Sequence, residues 1–362
     1  MRATRVVQWC SLLSLAGVVS CAQPAEPPGA EPETTVMDAA AEAAASYVPP
    51  TVETVSHDLT QADIENMMEE LSNWGRWGAD DELGASNLIT PAKRLEAVAL
   101  AKAGMTVSLA HPLLKEEAPD VPQPFEHAVF GVPDPDAEPT FMGGAGDRYS
   151  ISYHGYSHSH LDALCHLSYK GKNYNDVAYD AVTPAGCVNG GIENLHDGVV
   201  TRGVLYDIPR LKGVPYLEPG TPIYMEDLEA WEEMSGAKAR PGDAIFIRTG
   251  RWARRAEVGP WNIATEEAGL HASTAPWLHA RDVAFIGSDS ALDVMPSQVE
   301  GVGLPVHMLT LIAMGVNLFD NQDLEGLAET AATQNRWEFM LVAGPLAVPG
   351  GTGSPINAIA IF

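Results

Sequence analysis

Basic residues are scarce in this 362-residue chain: 21 Lys and Arg stand against 48 Asp and Glu, a formal charge of −27. Binding phosphates takes clustered Lys and Arg, so nucleic acid is excluded as a partner class. Adsorption to anionic lipid heads is disfavoured for the same reason. Cysteine is scarce too, with four residues, of which Cys10 and Cys21 lie in the N-terminal segment. Only Cys165 and Cys187 remain beyond it; one disulfide between them and a buried thiol at Cys165 both fit. No G-x-S-x-G elbow occurs, so Ser354 in "GTGSP" is a poor nucleophile. From residue 59 to 362 there is no linker, repeat or composition break, and the 46% hydrophobic content can bury a sizeable core. One domain is expected.

The N-terminus is the exception. "MRATRVVQWCSLLSLAGVVSC" has Arg2 and Arg5, an apolar run too short for a comfortable membrane span, and small Ser20 before Cys21. That is the layout of a secretory signal over residues 1–21. Its last four residues resemble the lipobox of bacterial lipoproteins, which implies cleavage before Cys21, diacylglycerol on its sulfur, and a cell-envelope location with membrane contact through the lipid alone. Residues 22–58 follow; their Pro-, Ala- and Glu-rich first part carries no Lys or Arg, and the segment reads as a disordered tether.

Helices are predicted over 60–71, where Thr60 and Asp63 form a capping box, over 90–104, where Thr90 caps and Pro91 opens the first turn, and over 305–315. Short apolar runs at 203–208, 243–250, 283–289, 316–319, 339–348 and 357–362 read as buried strands. Mixed strands and helices of this number indicate an α/β or α+β layered domain.

The densest chemistry is "YHGYSHSHLDALCH", residues 153–166, with four histidines and an aspartate. Alternation along a strand puts His158, His160 and Asp162 on one face. Imidazoles with a carboxylate suit Zn²⁺ or Mn²⁺, one ion or two. His166 is placed to act as a general base or acid, and His154 is expected to stand outside the ligand set. A structural histidine is the commoner reading of any single position; the clustering is what argues for metal. Asp289 and Asp293 follow a strand and serve equally as site or turn acids. Arg248, Trp74 and Trp77 are candidate substrate contacts, with fold-holding roles as the alternative.

"HSHLDALCH" resembles the H-x-D-x-x-x-H core of the cyclase-like metal-dependent hydrolases, the family of bacterial kynurenine formamidase and isatin hydrolase. "NWGRWGADDELGASNLITPAKR", "RGVLYDI", "PGDAIFIRTGRW", "FIGSDSALDV", "GLPVHMLTLIAMGVNLFDNQDL" and "GTGSPINAIAIF" follow the family's order, so the likeness spans residues 72–362. The resemblance implies an α/β fold of the swivelling β/β/α type in a single catalytic domain, 59–362, assembled as a dimer or tetramer. It also implies His160, Asp162, His307 and Asp320 as metal ligands and His166 as the catalytic histidine. The family's first motif histidine falls on Tyr156, and His158 is expected to take its place, with Tyr156 as a substrate contact or phenolate ligand. The implied activity is amide hydrolysis of a small molecule, an arylformamide or a cyclic amide. A lactonase, dehydratase or cyclisation catalyst of the same fold is the first alternative, and a non-catalytic metal-binding envelope protein the second.

Overall fold

A computed structural model describes residues 47–132, 134–138 and 140–362. The signal, Cys21 and the first part of the tether lie outside the described residues. Residues 47–58 do not stand off as a tether: Val52 and Val55 pack against the core, and His57 stacks on Tyr224 with ring centroids 3.6 Å apart.

Nine strands form the main sheet: β1 Thr106–Ser108, β2 His160–Asp162, β3 Val199–Asp207, β4 Ala244–Arg248, β5 Phe285–Ser288, β6 Asn317–Asp320, β7 Glu338–Ala343, β8 Gly353–Pro355 and β9 Ile359–Ile361. Their order is β1-β9-β7-β3-β4-β5-β6-β2-β8. The central run β3-β4-β5-β6 is parallel, and every pairing outside it is antiparallel. This is an α/β domain, as expected. Strands buried on both faces read as unbroken apolar runs rather than alternations, which is why "GVLYDI" and "AIFIR" were legible. In β3 and β4, Val204, Leu205, Tyr206, Phe246 and Ile247 are all buried, each such side chain contributing roughly 1.5–3 kcal/mol of transfer free energy.

Helix α1, Gln61–Glu70, begins with the expected Thr60/Asp63 capping box. Helix α2, Pro91–Val98, is capped by Thr90 but stops well short of Gly104. The 305–315 helix is two pieces: an α-helical turn at Pro305–His307 and a π-helix over Met308–Met314, closed by Gly315 at φ +67°. The wide π turn follows His307 directly, and such irregularities concentrate at functional sites. Strand β7 ends at Ala343, because Gly344-Pro345 cannot continue the ladder.

Cys165 and Cys187 form a disulfide, which resolves the two sequence readings against the free thiol. A second device ties the layers together. Arg202, 1% exposed, pairs with buried Asp243 and with Glu338, while Lys93 from α2 reaches the same Asp243.

Candidate metal centre

The site lies where β2 meets β6, with His160 directly opposite Asp320 in the register. His160 and Asp162 are two residues apart on β2, so they share a face, and Leu161 between them turns into the core. Asp162, 1% exposed, is the centre of the cluster. Its Oδ1 is 3.0 Å from His154 Nδ1 and 3.3 Å from His160 Nε2, and its Oδ2 is 3.9 Å from His166 Nε2. On the other side His307 Nε2 lies 3.2 Å from Asp320 Oδ2. Two convergent groups result, His154/His160/Asp162 and Asp162/His307/Asp320, with Asp162 common to both.

One sequence expectation is corrected here. His158 belongs to neither group. Ladder pairing of β2 covers only residues 160–162, and upstream the chain turns through 154–157, with Gly155 at φ +107°. Alternation of faces therefore does not extend back to 158. The His158 ring lies near the Gln123 backbone, His160, Arg251 and His111. The turn instead delivers His154, which reading the stretch as one strand had set aside. Its Nε2 bonds Thr352 Oγ1 at 2.9 Å, leaving Nδ1 toward Asp162.

The donor set fits a divalent cation. His154 Nδ1, Asp162 Oδ1 and Asp320 Oδ1 are buried and have no hydrogen-bond partner. The 3.0 Å approach of His154 to Asp162 lacks hydrogen-bond geometry, as expected of lone pairs aimed at a common point. Buried polar atoms left unpaired are otherwise rare.

The supporting groups are fixed. Asp293 Oδ2 accepts from His307 Nδ1 at 2.6 Å and from the His307 amide at 3.1 Å, and Oδ1 accepts from the Val306 amide at 2.7 Å. It thus sets the ring that presents Nε2 to Asp320, a frequent arrangement behind histidine ligands. His160 Nδ1 is likewise held, 2.8 Å from the His158 carbonyl oxygen. Burial opposes ionisation of Asp162, but His166 and His160 outweigh it and hold the carboxyl well below the usual range. Burial also works against the His307 cation, yet Asp320 and Asp293 raise its pKa well above the ordinary value. His166 behaves differently: burial lowers it to about 4, only partly offset by Asp162, so it is neutral and able to accept a proton near pH 7.

A cleft of about 500 Å³ opens beside this cluster, lined by His154, Tyr156, Gln123, Asn262, Ile263 and Asp120 among others. Tyr156 faces it, with burial and then the carboxylates of Glu267, Asp320 and Asp293 keeping its phenol protonated. Arg248 is not in the cleft: it bonds Asp207 at 2.8 Å and Glu325 at 2.7 Å and holds the fold. Trp74 donates to the Ile312 carbonyl at 2.6 Å and Trp77 packs on the core; neither lines the cleft. Asp289 is a structural acid, accepting from the amides of Thr249, Gly250 and Arg251. Glu267 escaped the sequence reading. It is buried, its Oε1 accepts from the Ala291 amide at 2.7 Å, and burial pushes its carboxyl well above the usual range. Nothing in "TEEAGL" distinguishes it.

The Cyclase family model matches residues 107–292, just over half of the sequence. The chain belongs to the cyclase family. A crystal structure described as a novel cyclase is 35% identical, covering 82% of this chain and 99% of its own, with a TM-score of 0.72. Isatin hydrolase A from Labrenzia aggregata, bound to benzyl benzoate, is 18% identical over 71% of this chain and 93% of its own, at a TM-score of 0.50. The latter likeness is one of fold. No curated protein matches the sequence. In this cyclase-family chain, the histidine that joins His160 and Asp162 lies two residues before Tyr156, at His154.

Proposed function

We propose that this protein is a metal-dependent hydrolase that opens the amide bond of a small molecule, an arylformamide or a cyclic amide. The observation that carries the reading is Asp162, buried between two histidine-containing groups with an oxygen that no donor meets. His154, His160 and Asp162 would hold one divalent ion, Zn²⁺ or Mn²⁺, and Asp162, His307 and Asp320 a second. Bound there, such an ion supplies Lewis-acid polarisation of a carbonyl and lowers the pKa of water.

The remaining work falls to the chain. His166, neutral near pH 7 and stacked on His154 at 3.7 Å with the rings 2° from parallel, takes a proton from the attacking water and returns it to the departing nitrogen. Asp162, 3.9 Å from His166 Nε2, stabilises the imidazolium in between. Tyr156 and Ile263 give the cleft an apolar wall and Gln123 and Asn262 a polar one, which suits a neutral aromatic amide.

Export and lipid anchoring at Cys21 are part of the same proposal. The lipobox-like "VVSC" supports it, as does a disulfide in the folded part, since such bonds persist in oxidising compartments. Among the described residues no helix is long and apolar enough to cross a membrane. Assembly as a dimer or tetramer is supported by a hairpin, Glu126–Phe130 with Gly146–Ser150, that exposes Val129, Phe130 and Tyr149. The test of the chemistry is product analysis with an arylformamide, isatin and a lactone. Amide hydrolysis gives an amine and a carboxylate in equal amounts; lactone turnover alone would overturn it.

A further inference from the structure

His166 is placed with unusual indirectness. Among the described residues no hydrogen bond reaches its ring, whose closest acidic neighbour is Asp162 Oδ2 at 3.9 Å. The stack on His154 and the course of its own backbone must therefore set its position. That backbone follows β2 in a segment without regular secondary structure, yet hydrogen bonds hold it on both sides of His166. The His166 amide donates to the Ala163 carbonyl at 3.0 Å. The two carbonyls that flank it, those of Cys165 and Leu167, accept from one side chain, Asn173 Nδ2, at 2.9 and 2.7 Å. Asn173 is itself 3% exposed.

The residue before His166 carries the covalent tie. Cys165 is bonded to Cys187, in the two-residue strand Gly186–Cys187 that pairs with Val182–Thr183. Cys187 is in turn docked on the glycine loop before β8: its amide donates to the Gly350 carbonyl at 2.8 Å. Two residues on, Thr352 holds His154 through Oγ1 and accepts from the Ala163 amide at 3.0 Å. The disulfide thus closes a circuit running from His166 through the 182–187 hairpin and the 350–353 loop back to His154, the ring on which His166 stacks.

We propose that the Cys165–Cys187 disulfide, with Asn173, is the positioning device for His166, so that turnover requires the oxidised pair while metal binding does not. The proposal rests on the hydrolase reading only for what His166 does; where His166 sits is a separate matter. The two metal groups draw on His154, His160, Asp162, His307 and Asp320 and on neither cysteine. Cys187 is partly exposed and Cys165 is buried, so an external dithiol attacks at the Cys187 sulfur. Its thiolate forms the mixed disulfide and Cys165 leaves as thiolate. The second thiol then releases Cys187, so two electrons and two protons pass to the cysteine pair and the reagent becomes a cyclic disulfide.

The test uses the full folded domain, oxidised, reduced with dithiothreitol, and as C165S/C187S, with free thiols counted by mass spectrometry. Two readouts are taken: kcat and KM for the amide substrate, and the rate at which diethyl pyrocarbonate acylates His166, located by peptide mapping. Displacement of about 1 Å at a catalytic group lowers turnover on the order of 100-fold. Reduction is expected to lower kcat by that order with KM and metal content unchanged, and to speed acylation of His166 severalfold. C165S/C187S should match the reduced protein and ignore the reductant. Equal His166 acylation rates in oxidised and reduced protein overturn the proposal, as does loss of metal in step with loss of turnover. Absence of turnover in the metal-loaded, oxidised protein refutes the hydrolase reading instead, and the acylation rates still decide the positioning. Asn173→Ala, which leaves the disulfide intact, should reproduce a milder form of both effects.

Discussion

Replacing Asp162 by Asn changes one oxygen for an NH₂ group and one charge for none. In the structure that carboxylate lies 3.0 Å from His154, 3.3 Å from His160 and 3.9 Å from His166. It is also the member common to both ligand groups. A unit charge removed at about 4 Å from another, at an effective dielectric near 20, forfeits about 4 kcal/mol per unit of opposing charge. The amide dipole and rearranged water recover part of this, leaving on the order of 3 kcal/mol, or roughly 100-fold in affinity. Asp162→Asn should therefore lose metal to a chromophoric competing chelator at about 100-fold lower chelator concentration than the parent protein. Turnover should fall with it, and near-ultraviolet circular dichroism should report whether packing is kept. Asp162→Asn with the parent's metal affinity and stoichiometry would refute the assignment of Asp162 as the common ligand.

His154 and His158 make a paired test of the corrected ligand set. His154→Asn should release metal and lower turnover by at least 10-fold, whereas His158→Asn should keep both within about twofold, as judged by metal analysis and steady-state rates. Stability against pH gives a third prediction. Burial and then His57 lower the His271 pKa to about 4, against about 6.5 unfolded. Between those values the unfolded chain binds the proton and the folded one does not, so stability falls as pH drops from 6.5 toward 4, by up to about 3 kcal/mol. His271→Asn, which retains an acceptor for the Ser273 amide, should flatten that fall in urea titrations at pH 7 and pH 5. Gly84→Ala should destabilise the domain by about 2 kcal/mol or more, read as a lowered Tm. Its φ is +54°, and a Cβ would lie 2.1 Å from the Gly315 carbonyl oxygen.

What the sequence could and could not disclose follows from the range of the interactions. Capping of α1 and α2 by Thr60 and Thr90 is local chemistry, and both starts were read correctly. The central parallel strands announced themselves because burial on both faces leaves only apolar residues. His160 and Asp162 were paired correctly because two-residue alternation holds wherever a ladder exists. His158 was misplaced because ladder length depends on partners in β6 and β8, 158 to 195 residues downstream. The same non-local cause hid His154, whose position depends on Gly155 at φ +107° and on Thr352. Arg248 and Asp289 stayed open to a functional and a structural reading because a charge beside a buried strand is conspicuous. Their partners, Asp207 and Glu325 for the one and the Thr249–Arg251 amides for the other, lie far away in sequence or are invisible as backbone. Glu267 gave no signal, since burial of a lone acid is a property of tertiary packing. Family likeness supplied His307 and Asp320, and the geometry brings them directly to Asp162, with Asp293, which had read equally well as a turn acid, holding the His307 ring.

The central claim is that this cluster holds divalent metal and hydrolyses an amide, and one experiment meets it directly. The protein is purified without chelator, its metal content measured, and the same sample assayed on an arylformamide and on isatin. The account predicts bound divalent metal, equimolar amine and carboxylate, and loss of both turnover and metal on dialysis against chelator, with recovery on adding the ion back. A fully metal-loaded protein that leaves both amides intact, or one that hydrolyses them equally well after the metal is stripped, would contradict it.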